Sequence, residues 1–138
     1  MKKIAASILA LVIVLCLLIF SYHSSQSKQS RIDSLICTSL DDSMASFSDY
    51  LSSSSQESYL SGLSSFYLFK SIYSESNYYD DSFTSVISNA YFKLLSNENP
   101  DLLEMQALLN ALEVLAENPS NITGYTLLQI FVDYPNYY

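Results

Sequence analysis

The chain has 138 residues, with 6 Lys or Arg against 14 Asp or Glu and a net charge of −8. That balance sets it against nucleic acid, because Lys and Arg supply the phosphate contacts that drive such binding. One His and two Cys leave no disulfide framework and no His/Cys metal quartet, and no cofactor is expected.

The first element is the least ordinary. Residues 1–3 form a short basic head, Met1-Lys2-Lys3. From Ile4 to Phe20 the chain carries no charge, no Gly and no Pro, with Ser7 its one plainly polar side chain. Ser21-Tyr22-His23-Ser24-Ser25 then opens a Ser-rich stretch. Basic head, apolar run and polar flank form the pattern that secretion machinery reads. The 17 apolar residues reach about 25 Å as a helix, slightly short of the ~30 Å hydrocarbon core. Ser21 and Tyr22 extend the span, with the Tyr ring at the interface. The run exceeds an ordinary signal-peptide core, and the best small-x-small site, Ser25-Gln26-Ser27, is a weak one. The segment 4–22 is therefore expected to be a transmembrane anchor or uncleaved signal; the alternative is a secreted protein released by cleavage near Ser27. Lipidation of Cys16 is discounted, because Val14-Leu15 precedes it where a lipoprotein needs a small residue. Lys2 and Lys3 favour a cytoplasmic N-terminus.

After Phe20 the chain holds four basic residues (Lys28, Arg31, Lys70, Lys93) and all fourteen acidic ones, a net −10. Residues 23–30 read as a juxtamembrane linker, 31–133 as a helical extracytoplasmic domain and 134–138 as a tail. Ile32, Leu35, Ile36, Leu40, Met44, Phe47 and Leu51 recur at helical steps and predict a helix from about Ser30 to Leu51. No Pro or Gly separates it from the apolar segment, so the two can be continuous. The run Ser52–Ser55 breaks it, and Ser54 with Glu57 fits a capping box. Tyr59, Leu60, Leu63, Phe66, Tyr67, Phe69, Ile72 and Tyr73 predict a buried helix, despite Gly62 and the strand-like patch from Phe66 to Phe69.

Ser74–Ser82 reads as a loop, with Asp80 and Asp81 placed for the next helix N-terminus. Phe83, Val86, Ile87, Ala90, Tyr91, Leu94 and Leu95 form the following stripe. At Asn97-Glu98-Asn99-Pro100-Asp101, Asn99 is the expected cap and Pro100 the first helical residue. Leu102, Met105, Leu109, Leu112, Leu115 and Ala116 are expected on the core face, with Glu104, Glu113 and Glu117 on or near the other. A second Asn-Pro boundary, Asn118-Pro119, precedes a last helix over about Ile122–Val132, which Pro135 cannot continue. The expected fold is all-α: an N-terminal transmembrane or signal helix followed by a small bundle of four to five helices.

No catalytic constellation emerges, and the chain is not expected to be an enzyme. His23 stands alone beside the apolar segment, and the two glycines, Gly62 and Gly124, form no G-x-S-x-G elbow. Asp41–Asp42 are helical neighbours that face apart, and Asp80–Asp81 lack the spacing of a calcium loop. Cys37 reads as a small buried hydrophobe, with pairing between copies as the other use of an unpaired exported thiol. The unusual feature is 12 Tyr and 7 Phe without Trp. Tyr67, Tyr73 and Tyr91 fall on apolar faces and are expected at the core or its edge. Tyr78, Tyr79, Tyr134, Tyr137 and Tyr138 fall in loop or tail and are the candidate partner contacts, since exposed Tyr gives large contact area at low entropy cost. Ala6 and Ala10 form a small-xxx-small pair that permits close helix approach. These features favour a membrane-anchored, extracytoplasmic interaction module, with a protein partner or a second copy as its target and the bacterial envelope as its setting. The alternative is a small-molecule-binding sensory accessory; three residues ahead of the span hold no output domain, so signalling would require a partner.

Overall fold

The structure, a computed structural model, describes residues 2–97 and 100–134, with side chains from residue 11 onward. Among them every regular element is helical: α1 (Lys2–Ser53), α2 (Gln56–Ile72) continued by a 3-10 turn (Tyr73–Glu75), α3 (Asp81–Ser96), α4 (Leu102–Glu117) and α5 (Ile122–Asp133). The all-α expectation holds, with a long first helix, apolar near the N-terminus, followed by a small bundle. The chain divides into two compact units, Met1–Arg31 and Ile32–Tyr138.

In the first unit, residues 2–31 lie on α1, which has no break over 23–30. The helix predicted to start near Ser30 thus begins far earlier, as a sequence free of Pro and Gly permits. Every side chain from Leu11 to Lys28 is exposed. The Ala6–Ala10 pair falls among side chains outside the described residues.

In the second unit, α1 buries Ile36, Leu40 and Phe47 on one stripe, with Ser39 and Ser43 beside them. Ser43 Oγ donates to the Gly62 carbonyl on α2 at 3.1 Å, and the Phe47 ring lies against the α2 backbone where Gly62 has no side chain. A Cβ there would meet three ring carbons at 2.8–3.0 Å, so Gly62 is fixed by close approach.

The serine run ends α1 through its own hydroxyls. Ser52 and Ser53 Oγ donate back to the Asp49 carbonyl at 2.9 and 2.8 Å, and Ser54 turns the chain with φ of 55°. That left-handed turn moves the α2 cap by one residue. Ser55 Oγ, not Ser54, accepts from the Ser58 N–H, so the predicted Ser54–Glu57 box is corrected to a Ser55 cap.

A similar shift starts α4. Asn99 lies outside the described residues; the cap is Asp101, whose Oδ1 accepts from the Glu104 N–H at 2.7 Å, and Pro100 precedes the helix. The buried stripe of α4 is Met105, Leu108, Ala111, Leu112 and Leu115, and it includes Glu104. Leu102, expected inside, is 65% exposed, and Glu104, expected outside, is 4% exposed. The helix is rotated relative to the predicted face because its first turn buries a carboxylate that has a cationic partner, described below. Tyr67 is also corrected: it is half exposed, while Tyr73 is buried and Tyr91 half-buried. Tyr59, expected in the buried helix, is in the core, as is Tyr125.

The α4–α5 hairpin closes around Gly124, where a Cβ would lie 2.6 Å from Leu115 Cγ and Cδ2. Leu115 is fully buried and has nowhere to move. Gly124→Ala should therefore lower stability by about 1–2 kcal/mol, the overpacking cost outweighing the gain in helix propensity. Chemical denaturation followed by far-UV circular dichroism measures the change.

Candidate functional site

Three places gather polar or aromatic side chains. The first is the loop 76–80 that carries two of the candidate contact tyrosines. Asp33 on α1 anchors it, its two carboxylate oxygens accepting from the Asn77 backbone and side-chain N–H groups at 2.9 and 2.7 Å. Ser76 Oγ donates to the Tyr73 carbonyl and accepts from the Tyr78 N–H. The Asp80 N–H donates to Tyr73 Oη at 3.0 Å, and Asp80 Oδ1 caps α3 through Ser82. Those hydrogen bonds to the Ser82 hydroxyl and backbone hold the Asp80 carboxyl below its usual pKa. Tyr78 packs half-buried on the core with its hydroxyl 3.9 Å from Cys37 Sγ, and that contact raises the phenol pKa. Cys37 itself is half-buried. Tyr79 remains exposed, edge-on to Tyr73 at 5.7 Å, and donates to Asp81. Tyr134 lies at the far side of the sequence, half-buried beside Lys93; Tyr137 and Tyr138 lie outside the described residues.

The second place is a buried ion pair. Lys93 Nζ on α3 lies 3.1 Å from Glu104 Oε1 on α4, with side chains 9% and 5% exposed. The same ammonium donates to the Phe131 and Tyr134 carbonyls at 2.7 Å and to Val132 at 3.3 Å, and it sits 5.0 Å above the Phe131 ring. It thus adds a cationic donor to carbonyls at and just beyond the end of α5, where the Phe131 carbonyl also accepts from the Tyr134 N–H and a cation suits the helix dipole. Asn97 Nδ2 donates to Glu104 Oε2 at 2.8 Å, while Oε1 meets Lys93 as an ion pair without an aligned hydrogen bond. Beside them Tyr59 shares its hydroxyl proton between the Leu94 and Asn97 carbonyls at 2.6 and 2.9 Å. This constellation joins α2, α3, α4 and α5 and is closed to solvent. Its chemistry is cohesion.

The third place is exposed. Lys70 on α2 lies 5.9, 5.4 and 5.9 Å from the ring centroids of Tyr67, Tyr91 and Phe92. Tyr67 meets Tyr91 at 5.4 Å across the α2–α3 hairpin, and Phe92 is 59% exposed. The sequence pattern puts Tyr67 and Tyr91 at the core or its edge, which Tyr91 meets, but does not bring them together with Lys70 and Phe92. The signal available was Lys70 three residues after Tyr67, the spacing that sets two side chains side by side on a helix.

No group of three or more His, Cys, Asp or Glu placed to hold a metal occurs among the described residues. Compared with known protein families, curated proteins and solved structures, the chain matches none.

Two outcomes follow from this geometry. Replacing Lys93 by Met strands the Glu104 carboxylate in the interior, so K93M should lose about 3–5 kcal/mol while K93M/E104M recovers a large part of it. Urea denaturation of both variants gives the comparison. Burial also raises the Tyr59 and Tyr125 phenols well above their ordinary value of 10.0. The folded state then holds protons that the unfolded chain releases, so this stability is full below pH 10 and declines as pH rises beyond it. Helical circular dichroism and tyrosinate absorbance should change together in alkali, and Y59F and Y125F should each flatten that dependence.

Proposed function

We propose that the chain is a membrane-anchored helical interaction module: residues 4–22 cross a bilayer once, the N-terminus stays in the cytoplasm and the acidic domain stands outside. The observation that carries this reading is the surface of α1. Leu11, Val12, Ile13, Val14, Leu15, Leu17, Leu18, Ile19 and Phe20 are between 48% and 74% exposed on a helix long and apolar enough to span a membrane. So much contiguous apolar surface is stable only against lipid or another apolar body. Lys2 and Lys3 ahead of the span support the orientation. An interaction role draws on the exposed Tyr79, the half-buried Tyr78 and Tyr134, and the aromatic cluster around Lys70.

Fractionation with mass spectrometry of the N-terminus tests the anchor. The expected result is a chain that resists alkaline extraction from membranes and keeps the peptide spanning the apolar segment. A soluble species beginning at Lys28, in the medium or periplasm, would instead establish cleavage after Ser27 and a secreted protein. Cross-linking in intact membranes tests the interaction role. A defined adduct is expected, and monomer alone across cross-linkers of several lengths would overturn it.

A further inference from the structure

Residues along one side of α2 form a self-complementary pattern, exposed at Glu57, Leu60, Ser64 and Tyr67 and half-buried at Leu63 and Lys70. Glu57, Leu60, Leu63, Ser64, Tyr67 and Lys70 follow one another at three- or four-residue steps, save the adjacent central pair, and so share one side of the helix. About the midpoint between Leu63 and Ser64, Glu57 mirrors Lys70 and Leu60 mirrors Tyr67. Leu60 is 56% and Tyr67 51% exposed, and Glu57 is exposed. The neighbouring helix widens the strip. Tyr59 Oη bonded to the Leu94 carbonyl sets the start of α2 beside the end of α3, and Tyr91, Phe92 and the exposed Leu95 border the same seam.

Acidic charge is sparse on this surface. The segment after Phe20 has four basic against fourteen acidic residues, yet of these α2–α3 seam residues only Glu57, at one end, is acidic. Among the described residues no carboxylate lies within ion-pair distance of Lys70, whose ammonium faces three aromatic rings. Glu57 and Lys70 are thirteen residues apart, about 20 Å along the helix, too far to meet within one chain.

We propose that the α2–α3 seam is a self-association surface, on which two copies of this chain pair antiparallel about a two-fold axis between Leu63 and Ser64, each Lys70 meeting the other copy's Glu57. A two-fold contact needs a self-complementary patch, and the mirrored order Glu57-Leu60 / Tyr67-Lys70 is one. In that pairing Leu60 packs on Tyr67 at both ends, the two α2 dipoles run opposite ways, and both charges find opposite partners. The proposal names the partner within the interaction-module reading and rests on it. The patch is small for a stable soluble dimer, and confinement to one membrane raises the local concentration that a modest interface needs.

The test uses the full chain in membranes, with Cys16 and Cys37 replaced by Ala. Under mild oxidation E57C/K70C should give a disulfide-linked dimer, while E57C or K70C alone should give little, because like positions sit about 20 Å apart. Independently, K70E should lower the yield of cross-linked wild-type-like dimer by about tenfold or more, and the charge swap E57K/K70E should restore it. Circular dichroism of each variant confirms that the helices remain. K70C alone linking as readily as the pair, or a swap that fails to rescue, overturns the seam. Membrane cross-linking that then captures a different protein, or a dimer through another face, rejects this surface while retaining the interaction module; uniform monomer rejects both.

Discussion

The second unit is organised around one ammonium group. Lys93 Nζ, on α3, has the Phe131 and Tyr134 carbonyls, the more distant Val132 carbonyl and the Glu104 carboxylate around it, and so ties α3 to α4 and to the end of α5. A Lys has three protons to donate and a compact charge that is costly to bury. Each of these acceptors reduces that cost, and the Glu104 oxygen facing the ammonium has no hydrogen bond of its own to offset its burial. The ion pair therefore acts less as an added attraction than as a condition on the packing: α3, α4 and the end of α5 must arrive together, or charge and carbonyls are left bare. Apolar residues lie on more than one face of α4, Leu102 and Leu103 among them, so the apolar pattern alone marks its buried face less sharply. With Glu104 committed to Lys93 and Asn97, the rotation is set, and Met105, Leu108, Leu112 and Leu115 follow into the core.

The same commitment explains what could and could not be read from sequence. Helix number and order were legible because apolar residues recur at three- and four-residue steps and because serine runs and Asn-Pro pairs interrupt them. The rotation of α4 was not. A glutamate at its first turn reads as a surface residue, and only the tertiary arrival of Lys93, eleven positions earlier, makes it an interior one. Caps shifted for a related reason: several adjacent residues could cap α2 or α4, and Ser54 adopting the left-handed region left Ser55 to do so. Among the aromatics, helical spacing marks a residue as near a face without saying how far round it lies. Tyr67 and Tyr73 both looked internal; Tyr73 is enclosed by Phe69, Tyr79 and Tyr125, while Tyr67 reaches out over Lys70.

Tyrosine takes up tasks here that other proteins divide among several residue types. Tyr59 and Tyr125 fill interior volume and return their hydroxyls to backbone carbonyls, Tyr125 to Pro119 at 2.7 Å while its ring stacks on Phe83 at 4.0 Å. Tyr73 accepts from the Asp80 N–H and so helps hold the turn into α3. In each case the ring supplies apolar area and the hydroxyl replaces a backbone partner, which suits short loops with few other donors. A chain that uses Tyr in this way inside also exposes Tyr at its edges, and those edges are where its contacts with other molecules are proposed.

The proposed anchor and the domain place opposite demands on the same polypeptide. The exposed aliphatic surface of Leu11–Phe20 suits lipid and resists water, whereas the acidic remainder is strongly hydrated and repels anionic surfaces. In the proposed arrangement that repulsion keeps the domain off anionic headgroups and leaves its α2–α3 seam free. It also works against pairing, because two copies with a net charge of −10 each repel one another over roughly a Debye length. Self-association is then favoured where apolar contact and a cation offset the general field. The seam around Lys70 meets that requirement: three rings surround an ammonium with no carboxylate nearby among the described residues. A weak, salt-sensitive contact of this kind depends on density in the membrane plane, so the proposed span would also set how often two domains meet.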